Sequence, residues 1–137
     1  MKPKITVITL AVKNLEESVR FYRDGLGFPT DGIIGEEFAY GAVAFFDLEN
    51  GLKLALWPES SIAHDTWLPV SAPSHTRLTL WHNVGSEEEV DRIISLAERA
   101  WATITKRASK TFYGGYGGYF QDLDGHLWDV VYNPGFE

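Results

Sequence analysis

Two stretches of this chain repeat one another, and an internal repeat restricts the possible folds more tightly than composition does. Leu10-Ala-Val-Lys-Asn-Leu-Glu-Glu-Ser-Val19 is matched, with a one-residue slip, by His82-Asn-Val-Gly-Ser-Glu-Glu-Glu-Val90, and the turn Asp47-Leu-Glu-Asn-Gly51 is matched by Asp122-Leu-Asp-Gly125. In each copy a β-branched or apolar run leads into a helix start. Asn14 with Glu17, and Ser86 with Glu89, have the spacing of an N-cap and its reciprocal acidic partner. Leu15, Val19, Tyr22 and Leu26 then recur at helical spacing, as do Val90, Ile93, Ile94 and Ala97. Gly25 and Gly27 mark the first helix end.

Three strands are expected after the first helix, with Phe38-Ala-Tyr40, Ala42 to Phe46 and Leu52 to Trp57 as their apolar runs. From Pro58 to Ser74 the pattern loses its period and gains proline and serine, which reads as a linker. His75 to Val84 then opens a second strand, helix, strand, strand, strand series, with residues 103–106 as a short strand. The fold class is therefore α+β, built from two tandem βαβββ modules that form a curved sheet bearing a cleft. The modules cover about residues 1–58 and 75–137, joined by a linker of about 59–74, all within one domain.

The last turn and strand hold the strongest functional signal. Aspartate and glycine at Asp122-Leu-Asp-Gly125 suit a tight turn between two strands. Alternation on the outgoing strand places Leu127, Asp129 and Val131 on one face and Trp128, Val130 and Tyr132 on the other. A carboxylate within so apolar a strand is solvated, paired or facing a pocket, which makes Asp129 the leading candidate for a ligand contact. Aromatic residues make up 14% of the chain, more flat surface than a small core requires. Trp81, His82, Tyr116, Tyr119 and Trp128 join Asp129 as expected lining of the cleft. The glycines of Tyr113-Gly-Gly-Tyr-Gly-Gly-Tyr119 read as a flexible lip over it.

A net charge of −7 disfavours nucleic acid as a partner. The absence of cysteine removes thiolate chemistry and suits a reducing, cytoplasmic setting. No apolar run approaches the roughly 18 residues of a membrane span.

Leu10-Ala-Val-Lys-Asn-Leu-Glu-Glu-Ser-Val-Arg-Phe-Tyr-Arg-Asp-Gly-Leu-Gly-Phe28 and Tyr116-Gly-Gly-Tyr-Phe-Gln-Asp-Leu-Asp-Gly-His-Leu-Trp-Asp-Val-Val-Tyr-Asn-Pro134 resemble the vicinal oxygen chelate superfamily, which groups glyoxalases, bleomycin-resistance proteins and extradiol dioxygenases. The resemblance spans essentially the whole chain. It implies a divalent metal held by one side chain from each of four strands, usually two His and two Glu. The corresponding positions here are Val7, Ala55 (or Leu54), Thr79 and Asp129, so one carboxylate remains of four ligands. One donor is too few for a first-row metal. The resemblance therefore implies a protein that binds a small aromatic or cationic ligand without a metal or other cofactor. The alternative is a lyase, isomerase or dioxygenase with a relocated metal site drawn from His75, His82 and Asp129. The superfamily's habit of two-fold pairing also implies a homodimer.

Overall fold

A computed structural model describes residues 1–136, and the chain divides into two compact units, Met1–Ala72 and Pro73–Glu137. The first unit has the order β1 (Val7–Val12), α1 (Leu15–Arg20), β2 (Thr30–Ile34), β3 (Val43–Asp47), β4 (Lys53–Pro58) and α2 (Glu59–Thr66). Its four strands lie in the order β1-β4-β3-β2, with β1 parallel to β4 and the other pairs antiparallel. The Asn14 side chain accepts a hydrogen bond from the Glu17 backbone N–H at 3.0 Å, which satisfies one of the free donors at the start of α1. A wider π-type turn, Phe21–Gly25, extends α1 and buries Phe21 and Tyr22. Tyr22 meets Phe28 and Phe46 at ring-centroid distances of 5.9 Å each, and together they form the aromatic centre of this unit's core.

Two expectations for this unit need correction. Phe38-Ala-Tyr40 is not a strand. It belongs to a loop closed on itself by hydrogen bonds from Phe38 N–H to the Gly35 carbonyl and from Gly41 N–H to the Phe38 carbonyl, both 3.1 Å. A Cβ on Gly35 would stand 2.3 Å from the Gly41 carbonyl oxygen, so the two glycines are there for the chain crossing. The strand is Thr30–Ile34 instead, irregular in register between Thr30 and Ile33. The segment after Pro58 also begins with a helix, α2, which packs on β1 and β4. Its apolar residues are too few and too scattered to give a clear helical stripe.

The second unit has β5 (Thr79–Asn83), α3 (Glu87–Arg99), β6 (Thr103–Lys110), β7 (Tyr116–Gln121) and β8 (Leu127–Tyr132). Its strand order, β5-β8-β7-β6, copies the first, with β5 parallel to β8. Ser86 caps α3 by accepting from the Glu89 backbone N–H at 3.2 Å. Val90, Ile94 and Ala97 of α3 are buried, as are Phe120, Trp128 and Val130 of the sheet. Phe120 and Trp128 stack with centroids 6.0 Å apart and planes within 6°. β5 is shorter than the run from His75 to Val84, and β6 longer than residues 103–106. Among the described residues no helix is long and apolar enough to cross a membrane.

Candidate functional site

The turn between β7 and β8 sets the position of Asp129. The Asp122 carboxylate accepts from the backbone N–H groups of Asp124 at 2.9 Å and His126 at 2.8 Å, while Gly125 takes φ +89°. That closure holds β7 and β8 in a register where Asp129 lies opposite Tyr119. On its other side, Asp129 lies opposite Trp81 of β5. Lys106 of β6 lies opposite Tyr119. The residues Trp81, Asp129, Tyr119 and Lys106 therefore form one row across all four strands, on the face turned away from α3.

The position of Lys106 in this row depends on two irregularities. Ile104 pairs with Phe120, and Lys106 with Tyr119, so two steps on β6 match one step on β7. The next pairing, Ser109 with Gly117, sets three steps against two. These are two β-bulges, each adding one residue to β6. Strict alternation from Ile104 would place Thr105 opposite Tyr119 and turn Lys106 toward α3. The first bulge exchanges them. The side chains that follow agree with this reading, because Arg107 pairs with Glu98 of α3 and Lys110 with Glu87 of α3. Gly118 permits the second bulge. A Cβ there would come within 2.9 Å of the Lys106 carbonyl oxygen and 3.0 Å of the Ala108 nitrogen.

Asp129 is only 8% exposed, and its carboxylate is hydrogen-bonded to the Tyr119 hydroxyl. Burial pushes its pKa above the ordinary carboxylate value, while the Tyr119 hydrogen bond and the charge of Lys106 pull in the opposite direction. Tyr119 titrates above its usual value, first because of burial, then because of the negative charge and hydrogen bond of Asp129 and the nearby Tyr113. Lys106 itself is exposed.

At the other end of the row an aromatic group surrounds Trp81. Phe136 meets it edge-on at 5.1 Å, and Tyr113 lies at 6.4 Å with a 35° tilt. Asn83 holds this arrangement: its side-chain oxygen accepts from the Trp81 indole N–H at 3.3 Å, and its amide donates to the Phe136 carbonyl at 2.8 Å. Trp81 and Tyr113 remain 47% and 41% exposed, so their rings present usable surface.

Of the six residues expected to line one cleft, Asp129, Trp81 and Tyr119 come together. The other three lie on the opposite face. His82 pairs with Val130, Trp128 is buried on Phe120, and the Tyr116 hydroxyl donates to Asp91 of α3 at 2.7 Å. Tyr116 and Tyr119 are three residues apart on one strand, an odd number, so alternation separates them. Nor is the second Gly-Gly pair a flexible lip. Gly117 and Gly118 lie inside β7, where neighbouring backbone leaves no room for a side chain. Lys106 and Phe136 were not apparent in the sequence. The parity of β6 hid the first, and the fold-back of the segment after β8 hid the second.

The donor set for a metal is thin. Val7 pairs with Lys53, and Ala55 pairs with Thr9, so neither position carries a side-chain donor. Thr79 pairs with Leu127, two residues from the row of Asp129. His75 lies beside the β7–β8 turn, with Nδ1 3.1 Å from the Gly125 carbonyl, and His82 is across the sheet from Asp129. Among the described residues no three His, Cys, Asp or Glu side chains gather in a way that would hold a metal ion.

A family model described as the Glyoxalase/Bleomycin resistance protein/Dioxygenase superfamily matches residues 4–130. Among solved structures, the chain is similar to a glyoxalase-related enzyme from Fulvimarina pelagi, with 32% identity over 96% of this chain and 89% of that one and a TM-score of 0.82. A hypothetical protein from S. aureus shares 21% identity over 97% of this chain and 95% of that one, with a TM-score of 0.80. A genomically encoded fosfomycin resistance protein from Listeria monocytogenes shares 21% identity over 97% and 95%, with a TM-score of 0.71. The last two likenesses establish the fold alone. No curated protein matches the chain.

Proposed function

The chain belongs to the glyoxalase/bleomycin resistance protein/dioxygenase superfamily, and from that premise we propose that it binds a small aromatic ligand on the face of the second sheet turned away from α3, without a divalent metal. The observation that carries this reading is the row Trp81, Asp129, Tyr119 and Lys106, with Tyr113 and Phe136 flanking the indole. Half-exposed aromatic rings beside a few converging polar groups are the usual composition of a small-molecule site. Stacking on Trp81 supplies area, and the buried polar groups supply orientation.

Two features support a metal-free site. A first-row divalent ion needs three or more protein donors, and Asp129 has no second His, Asp or Glu in its row. Its carboxylate is already engaged by Tyr119, and the nearby positive charge of Lys106 repels a divalent cation. Lys106 is thus a cation in the same row as the one carboxylate that remains at a family ligand position.

Titration of the protein with 2-naphthamide, followed by tryptophan fluorescence and calorimetry, tests the reading. Binding is expected to survive an excess of EDTA. Trp81→Ala is expected to weaken it about tenfold, the size of a lost stacking contact. Trp101→Ala, at a residue 83% exposed outside the site, is the control and should leave affinity unchanged. Equal effects from the two substitutions would overturn the assignment of the site.

A further inference from the structure

We propose that Lys106 is the anion-binding residue of this face, so that the ligand is a planar aromatic acid whose carboxylate or phenolate meets the Lys106 ammonium while its ring lies on Trp81 and Tyr113. The inference rests on the reading that this face binds a small ligand, and it assigns that ligand a charge. Net charge and Asp129, taken alone, point to a cation. The geometry reverses that sign locally.

Asp129 is 8% exposed and its carboxylate is hydrogen-bonded to Tyr119, whereas Lys106 is exposed. A ligand arriving at the face meets the ammonium first. Asp129 and the half-buried Tyr119 lie along the same row as a hydrogen-bonded pair. An incoming cation would meet Lys106 as a like charge before gaining anything from the buried carboxylate.

Two bulges on one eight-residue strand cost regular pairing, since each leaves an extra residue outside the ladder. They flank Lys106 on both sides, and the first moves it from the α3 face onto the Trp81 row. The adjacent Gly118 has no room for a Cβ against the Lys106 carbonyl oxygen and Ala108 nitrogen. Bulges beside functional sites commonly re-aim a side chain, and here the side chain re-aimed is the row's only cation.

The Cα atoms of Trp81 and Lys106 are three strand spacings apart, about 14 Å. Within that span the proposed ligand is one or two fused rings, flat against the indole at one end and within reach of an extended lysine at the other. A carboxylate on such a ring system is placed to meet the ammonium. The ammonium offers three donors and an orientation-tolerant point charge, which suits a carboxylate or a phenolate alike.

The test uses three probes of one shape: 2-naphthoate, 2-naphthamide and 2-naphthylmethylammonium, titrated by calorimetry into the full chain. The acid is expected to bind at least tenfold more tightly than the amide, and the ammonium compound more weakly than both. Lys106→Met is expected to weaken the acid roughly tenfold to a hundredfold, the range for a charge-assisted hydrogen bond, and to weaken the amide much less. Lys106→Arg should restore most of the preference. Unchanged melting temperatures in both variants would show that the fold is intact. If the amide and ammonium probes bind through Trp81 while the acid gains nothing from Lys106, the binding reading stands and this inference falls. If no probe binds, or Trp81→Ala has no effect on any, both fall together.

Discussion

Lys106 lies opposite Tyr119, where uninterrupted alternation from Ile104 would have put Thr105. This one-residue exchange decides which charged side chain shares a face with Asp129 and Trp81. The second bulge, which follows Lys106, settles into the space that Gly118 of β7 leaves.

Gly118→Ala is therefore expected to destabilise the fold by about 1–3 kcal/mol, the usual penalty of overpacking against groups that cannot rotate away. The atoms a Cβ would meet are backbone, the Lys106 carbonyl oxygen at 2.9 Å and the Ala108 nitrogen at 3.0 Å. Gly85→Ala is the matched control, since nothing lies within 4 Å of a Cβ there. Urea unfolding of the two variants provides the comparison. Equal stability would mean that β6 shifts freely, and the bulge would lose its structural role.

What was legible in the sequence follows from how local each feature is. The Asn14 and Ser86 caps, the Asp122-Leu-Asp-Gly125 turn and the buried stripe of Val90, Ile94 and Ala97 each depend on residues within a few positions of one another. The face of Asp129 followed from alternation on an unbroken strand. The first bulge of β6, between Ile104 and Lys106, breaks that rule and so hid Lys106. Phe38-Ala-Tyr40 was misread because the crossing of Gly35 and Gly41 closes a loop where apolar residues alone suggested a strand. Alternation alone separates Trp128 from Asp129 and Tyr116 from Tyr119, whereas the choice between the neighbours Trp81 and His82 is made only by the cross-strand register, which puts His82 on the α3 face.

Addition of EDTA is expected to leave the melting temperature unchanged, and dialysed protein to hold well under one equivalent of Zn, Ni, Mn or Fe. A tightly bound metal stabilises the native state by several kcal/mol through mass action, and its removal lowers the melt accordingly. Elemental analysis with a paired thermal scan is sufficient. Stoichiometric metal and a chelator-sensitive melt would return the protein to the metal-dependent side of its superfamily.

The protein is expected to be a homodimer that uses the segment after α2. Trp67, Leu68 and Val70 are 93%, 65% and 51% exposed, a run of apolar side chains that water alone does not reward. Trp67 also holds φ +61°, a left-handed conformation that costs a non-glycine residue about 1–2 kcal/mol. Sedimentation equilibrium should give twice 15.4 kDa. Trp67→Gly relieves the backbone strain while removing the ring, so it should raise monomer stability and weaken association together. A mass of one chain would end the dimer expectation, and a dimer indifferent to Trp67→Gly would move the interface elsewhere.

Asp129 should make the protein less stable as pH rises. Burial is the largest influence on its carboxyl and raises its pKa in the folded chain above the ordinary value of about 3.9. Between those two values the folded state holds the proton more firmly than the unfolded state does. Stability from this group is therefore complete below the unfolded pKa and is lost as pH climbs through the folded one. The Tyr119 hydrogen bond and the Lys106 charge oppose the shift without cancelling it. Asp129→Asn keeps an acceptor for the Tyr119 hydroxyl and removes the titration. The unfolding free energy of the native protein, measured relative to this variant, should fall from pH 4 upward and then level off once Asp129 is ionised in both states. A difference that rises with pH would mean that Lys106 and Tyr119 stabilise the carboxylate more than burial penalises it. Asp129 would then be an ordinary ion-paired residue, and its buried position would contribute no acid-side stability.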